Sequence, residues 1–179
     1  VLDQNLTSEI NHVVLVLLDG FGANLTEKLK DDALLKTRQV KKLDSVFPPT
    51  TAAATTSVLT GKTPYETGFL GWFQYFKDYD TYYTIFMEND YYQSDKPIDP
   101  FFKTAFNRKT FIDRINHESA ILGKIFFPHP IDKEGYPTLA HGFSEVSKFT
   151  KSHAKTVSYL YAVEPDLTEH KFGVHSQAT

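Results

Sequence analysis

A continuous apolar run near the start of the chain constrains the fold more than any other feature of the sequence. Residues 13–18 are all Val or Leu, and the run ends at Asp19-Gly20. Such a run, without polar alternation, favours a strand buried on both faces, as in parallel sheets. Asp19 then lies at the carboxyl end of a central strand, the edge where open α/β sheets bind ligands. A simple Asp-Gly turn is the alternative interpretation.

The remaining apolar patterns predict an α/β fold with a largely parallel central sheet and helices on both faces. Further strands are expected over 43–47, 120–127 and 156–163, and helices over 24–41, 108–117 and 144–154. Strands that alternate with helices are typical of parallel sheets. The length of 179 residues suits a single domain with a substantial core.

An aromatic-rich segment, residues 69–111, interrupts this alternation. Two runs within it, 69–76 and 81–86, predict a hairpin. We expect this segment to be an excursion that walls a substrate pocket, since pockets are commonly lined by aromatic side chains. Trp72 is the candidate for the pocket wall. Rings that merely pack the excursion onto the core are the alternative interpretation.

Composition excludes several classes of protein and site. The 19 basic and 22 acidic residues give a net charge of -3, which gives no reason to expect duplex nucleic acid or an anionic membrane as the main partner. The chain has no Cys, which excludes disulfides and cysteine-based zinc sites but not His and carboxylate sites. No apolar run approaches the ~18 residues of a membrane span. We expect a cytoplasmic protein, and the oligomeric state is left open.

A threonine pair follows two prolines in the middle of the first half. Pro48-Pro49 predicts a bend, after which small residues form a short helix that opens at Thr50 or Thr51 and ends at Gly61. A hydroxyl at this position can cap the helix. It can also be a nucleophile whose phosphate is met by the N–H groups of the first helical turn.

A carboxylate also follows the apolar segment near the end of the chain. Asp166 comes just after it and His170 four residues later, so one helical turn places both side chains on one face. A carboxylate and a neutral imidazole are ligands that Zn²⁺ accepts. A purely structural pair is the alternative for this spacing alone. Three strand ends that offer Asp19, Thr51 and the Asp166–His170 pair together predict a metal-dependent site.

Residues 14–22, 46–61 and 164–176, in this order, resemble the type I phosphodiesterase/nucleotide pyrophosphatase branch of the alkaline phosphatase superfamily. The resemblance implies hydrolysis of phosphate ester or phosphoanhydride bonds in a small molecule or nucleotide, with two divalent metal ions, usually zinc. It implies that Asp19 binds one metal, with Thr51 as the nucleophile on that metal. It implies that Asp166 and His170 bind the other.

The sequence departs from the family pattern at two places. Ala54 stands where related pyrophosphatases carry an Asn that holds a phosphoryl oxygen, so we expect the backbone N–H of Ala52 and another side chain to contact the substrate instead. The family's later Asp-His pair and further His do not occur before Thr179. We therefore expect residues 1–179 to be one incomplete catalytic domain from the N-terminal portion of a longer enzyme. A phosphomonoesterase, a phosphonate hydrolase, and a non-catalytic relative or inactive fragment are the alternatives.

Overall fold

The computed structural model describes residues 10–97 and 109–176. The elements in chain order are β1 (His12–Leu18), α1 (Ala23–Lys28), α2 (Leu34–Thr37), α3 (Thr51–Thr60), α4 (Pro64–Thr67), β2 (Phe73–Phe76), a 3₁₀ turn (Lys77–Tyr79), β3 (Thr81–Thr84), β4 (Asn89–Asp90), α5 (Phe111–Glu118), β5 (Leu122–Phe126), α6 (Leu139–Lys151), β6 (Thr156–Ala162) and α7 (Asp166–Phe172). Within these residues, no helix has the length and apolar character needed to cross a membrane.

The main sheet is parallel, with strand order β1-β6-β5. The middle strand is therefore β6, and its residues are almost entirely buried. The prediction that β1 is buried on both faces is wrong, since the side chains of Val14 and Leu15 are 40% and 41% exposed. Within the described residues, β1 has a partner strand at one edge only, and its apolar side chains are covered incompletely.

Helices pack on both faces of this sheet, as predicted. Successive side chains of β6 point to opposite faces. Leu160 packs against Val146 of α6 on one face. Tyr159 packs with Leu59 of α3 and Phe111 of α5 on the other. The chain is thus a mixed α/β structure consistent with an alkaline-phosphatase-like fold.

A second, antiparallel sheet has the order β2-β3-β4. The predicted hairpin is confirmed, with β2 and β3 paired from Phe73↔Thr84 to Phe76↔Thr81. Phe76, Tyr83 and Ile85 from this region form one cluster with the buried Ala52 of α3. This sheet of β2, β3 and β4, called the aromatic sheet below, is therefore packed onto the first turn of α3. The rest of the excursion, over 98–108, lies outside the described residues.

The predicted helix over 24–41 is two short helices, α1 and α2. Leu25 is buried, but Leu34 is 71% exposed, so the apolar spacing does not produce one buried face. The chain is extended at Leu29, which ends α1. Lys36 then folds back, donating to the carbonyl oxygen of Leu29 at 3.1 Å and to Asp31 Oδ1 at 2.8 Å. These local polar contacts replace a continuous helix.

The predicted strand over 43–47 is wrong, because this segment has irregular backbone with no strand partner among the described residues. Phe47 is 88% exposed. A strand tendency is realised only where neighbouring strands and packing support it. Two helices also begin elsewhere than predicted. The helix expected over 144–154 is α6, capped by the side chain of Thr138, and α5 begins after a capping box between Thr110 and Asp113. Position 108 of the predicted helix lies outside the described residues.

Candidate active site

Asp19 lies at the carboxyl edge of the parallel sheet, as its position after β1 predicts. Its backbone N–H donates to the carbonyl oxygen of Ala162, the last residue of β6, at 2.9 Å. Its own carbonyl oxygen accepts from the N–H of Asp166 at 3.1 Å. The ends of two neighbouring strands therefore place Asp19 next to the start of α7.

Gly20 permits this close approach of backbones. Its φ of +74° is in the left-handed region that glycine tolerates. A Cβ at this position would lie 2.8 Å from the Cα and 2.9 Å from the N of Asp166. The Asp-Gly turn and the ligand-binding edge are thus the same feature, and the turn brings the two aspartates together.

Thr51 is the first residue of α3, and its side chain contacts Asp19. Thr51 Oγ1 donates to Asp19 Oδ2 at 3.1 Å, a bond between residues 32 positions apart. Thr50 occupies the N-cap position but makes no capping hydrogen bond with its side chain. The predicted helix and its end at Gly61, with a φ of +70°, are confirmed. The hydroxyl of Thr51 is thus aimed at a carboxylate instead of at the helix backbone.

Tyr161 is a site residue that the sequence reasoning missed. Its hydroxyl donates to the same Asp19 Oδ2 at 2.5 Å, and its side chain is buried in β6. Burial, followed by the hydrogen bond to Asp19 and the charge of Asp19, raises the pKa of Tyr161 well above its usual range. The hydroxyl therefore remains a proton donor. The sequence signal that could have identified Tyr161 is its position on the predicted strand, five residues before Asp166.

Asp166 and His170 lie on one face of α7, as the spacing predicts. His170 Nε2 is 3.6 Å from Asp166 Oδ2, and the imidazole is largely exposed. Burial is the main cause that raises the pKa of Asp166, followed by the negative charge of Asp19, while His170 lowers it. The charge of Glu169 also raises this pKa. One oxygen of Glu169, Oε1, is buried and has no hydrogen-bond partner within the described part of the chain.

The donor types at this edge fit a divalent cation in part. Among residues 10–97 and 109–176, no three His, Cys, Asp or Glu side chains form a group that could hold a metal ion. Carboxylate and imidazole are nevertheless the ligands that zinc takes in Cys-free sites. The unpartnered oxygen of Glu169 and the raised pKa of Asp166 both indicate negative charge that a cation would compensate.

Ala52 follows Thr51 in α3, and Trp72 is connected to Tyr161 through one intervening aromatic ring. Ala52 is fully buried in the first turn of α3, where backbone N–H groups lack acceptors within the helix. The ring of Trp72 lies 5.3 Å from the ring of Phe86, which in turn lies 5.5 Å from the ring of Tyr161. Two ring contacts thus connect Trp72 to Tyr161, whose hydroxyl donates to Asp19. The substrate contacts of Ala52 and Trp72 stay predictions.

Comparison with known proteins identifies the family. None of the curated proteins compared with this chain matches it. The family model described as type I phosphodiesterase / nucleotide pyrophosphatase matches residues 13–179, which is nearly the whole chain. The match spans Asp19, Thr51 and Asp166. The chain therefore belongs to the type I phosphodiesterase / nucleotide pyrophosphatase family, whose activity is the generally metal-dependent hydrolysis of phosphodiester and pyrophosphate bonds.

Proposed function

We propose that the protein hydrolyses a small phosphodiester or nucleotide pyrophosphate with Thr51 as the nucleophile. The observation that carries this proposal is the hydrogen bond from Thr51 Oγ1 to Asp19 Oδ2, 3.1 Å long, at the first residue of α3. The N-terminus of a helix favours an anionic group through its free N–H donors and its dipole. A phosphate at this position would meet both the hydroxyl and the positive end of α3.

The reaction of Thr51 has two steps. In the first, Oγ1 forms a bond to phosphorus, and the bond from phosphorus to the leaving oxygen breaks with its electron pair. The hydroxyl proton leaves Oγ1 as this bond forms and ends on the leaving oxygen, so that Asp19 remains a carboxylate. In the second, water attacks the phosphothreonine, a phosphorus–oxygen bond forms to the water oxygen, and Oγ1 leaves with a proton that the attacking water gives up. The covalent intermediate divides one difficult displacement into two easier ones.

Two divalent cations, zinc by donor type, complete the proposed site. Asp19 and Thr51 would hold one, and Asp166 and His170 the other; because zinc usually takes four ligands, these residues provide part of each set. When bound, such ions stabilise the charge on the attacking and leaving oxygens of an in-line displacement. After burial, the negative charge of Asp19 is the next cause that raises the pKa of Asp166, which supports placing the two carboxylates in one site.

The same geometry supports two proposed substrate contacts. The N–H of Ala52 belongs to the first turn of α3, one residue after Thr51, and we assign it to a phosphoryl oxygen. Trp72 is 41% exposed and stands at the rim of the aromatic sheet, where it can line the side of the pocket that receives the leaving group. An aromatic wall suits a nucleotide or another planar leaving group.

The test compares two neighbouring threonines in the full-length protein. Thr51→Ala removes the nucleophile and should lower turnover of bis(p-nitrophenyl) phosphate by about 10³-fold or more. Thr50→Ala is the matched control, because Thr50 Oγ1 donates only weakly, at 3.4 Å, to the carbonyl oxygen of Leu70. We expect this control to retain activity within a few-fold. Full activity of Thr51→Ala would refute the assignment of the nucleophile.

Metal analysis and a second substrate distinguish the alternatives. Bound zinc with faster turnover of the diester than of p-nitrophenyl phosphate supports the proposed function. Faster turnover of the monoester indicates a phosphomonoesterase of the same superfamily. Absence of both metal and turnover in the full-length protein contradicts the proposal and favours a binding relative.

A further inference from the structure

Two hydroxyl groups donate to a single carboxylate oxygen at the candidate site. Thr51 Oγ1 lies 3.1 Å and the hydroxyl of Tyr161 lies 2.5 Å from Asp19 Oδ2. The distance for Tyr161 is in the range of about 2.5–2.7 Å that is typical of strong O–H···O⁻ bonds. The proposed reaction uses Thr51, but it does not use Tyr161.

The Tyr161 hydroxyl is held from a rigid part of the fold. Tyr161 is 1% exposed and belongs to β6, the middle strand of the parallel sheet. Its ring packs 5.5 Å from the ring of Phe86 and 5.6 Å from that of Phe127. Its backbone carbonyl oxygen accepts a hydrogen bond from the hydroxyl of Tyr136, which crosses 25 residues of chain. The donor therefore has little freedom to leave Asp19.

The two donors differ in what the reaction does to them. Once Thr51 Oγ1 is bonded to phosphorus, it has no proton to donate, and Asp19 Oδ2 loses that hydrogen bond. The hydroxyl of Tyr161 keeps its own proton through both steps. Asp19 is partly buried, and a carboxylate in such a place is destabilised when it loses all of its hydrogen-bond donors. One permanent donor therefore keeps the carboxylate satisfied and in one orientation while the other donor reacts.

We propose that Tyr161 is the positioning residue for the Asp19 carboxylate, holding it in place in the free enzyme and in the covalent intermediate. This inference rests on the proposed roles of Asp19 and Thr51. Partners that orient metal ligands typically contribute about 10–100-fold in metal affinity or activity. In this role Tyr161 acts through Asp19, the residue to which its hydroxyl donates.

The test removes single hydroxyl groups from two tyrosines of the same strand and the same face. Tyr161→Phe keeps the ring contacts and deletes the donor. Tyr159→Phe is the matched control, because Tyr159 is fully buried and its hydroxyl has no hydrogen-bond partner within the described residues. Zinc affinity of the full-length, metal-stripped protein is measured by competition with a chromophoric chelator, together with kcat, KM and Tm.

We expect Tyr161→Phe to lower zinc affinity by about 10–100-fold and to lower kcat by a similar factor. KM should change by no more than about twofold, because uniform substrate binding is not affected. Tyr159→Phe should leave zinc affinity, kcat and KM within about twofold of the wild type and should not lower Tm, since it removes no hydrogen bond among the described residues. Equal losses in the two variants, or wild-type zinc affinity and kcat in Tyr161→Phe, would overturn the inference.

Asp19→Asn separates failure of this inference from failure of the proposed function. If Asp19→Asn loses zinc affinity and turnover while Tyr161→Phe does not, Asp19 is confirmed as a ligand and the positioning role of Tyr161 is wrong. If Asp19→Asn retains both, the proposed function itself is wrong, and the inference that depends on it is refuted as well.

Discussion

Replacement of Gly20 by alanine tests whether the close approach of β1 and α7 creates the site. Gly20 has a φ of +74°, and a Cβ there would lie 2.8 Å from Asp166 Cα and 2.9 Å from Asp166 N. These are backbone atoms, which cannot rotate away as a flexible side chain can. The start of α7 must therefore move away from the end of β1, and Asp166 moves away from Asp19.

The cost of this substitution has two parts. A left-handed conformation costs a non-glycine residue roughly 1–2 kcal/mol. Overpacking against an already packed neighbour costs typically about 1–3 kcal/mol more. The free energy of unfolding should fall by about 2–5 kcal/mol in total. Gly61→Ala is the matched control: Gly61 has a similar φ of +70° but nothing within 4 Å of the position of a Cβ, so only the first part applies.

The two variants are compared by urea denaturation and by turnover of bis(p-nitrophenyl) phosphate. We expect Gly20→Ala to lose about 1–3 kcal/mol more stability than Gly61→Ala, which is the overpacking cost alone. It should also lose on the order of 10²-fold in turnover, because a misplacement of about 1 Å at a reacting centre has this effect. Gly61 lies at the opposite end of α3 from Thr51, which contacts Asp19, so Gly61→Ala should keep its activity. Equal stability and equal turnover in the two variants would refute the reasoning.

Two further predictions concern carboxylates with shifted pKa values. Asp166→Asn should stabilise the metal-free protein at neutral pH and weaken zinc binding, since the pKa of Asp166 is raised from 3.8 by burial and by the charge of Asp19. When thermal unfolding is measured with chelator present, the wild type should lose stability relative to Asp166→Asn as pH rises above about 4. Glu66→Gln should destabilise α4 at neutral pH, because hydrogen bonds from Thr63 lower the pKa of Glu66 from 4.5. That difference in Tm should disappear as pH falls through the lowered pKa, and a constant difference down to about pH 2 would contradict it.

Features with a local chemical signature were predictable from the sequence. The helix that opens at Thr51 follows two prolines and ends at a glycine, and both boundaries are as predicted. The strands that precede Asp19 and Asp166 are apolar runs closed by turn residues, and both form parallel strands. A chain that alternates such runs with helices forms an α/β sheet whose strand ends share one edge. The contact between Thr51 and Asp19 agrees with that rule.

The places where prediction was wrong depend on partners that are distant in the sequence. Residues 43–47 have the composition of a strand but no neighbouring strand among the described residues, so their backbone stays irregular. The sequence predicts that β1 is a central strand, yet β6 takes that place among the described strands, because burial depends on which strands lie on either side. The hydroxyl of Tyr161 donates to Asp19, which is 142 residues away in the sequence. Local periodicity and turn chemistry therefore determined the elements and the edge at which the site lies, and only tertiary packing decided which side chains hold the carboxylate there.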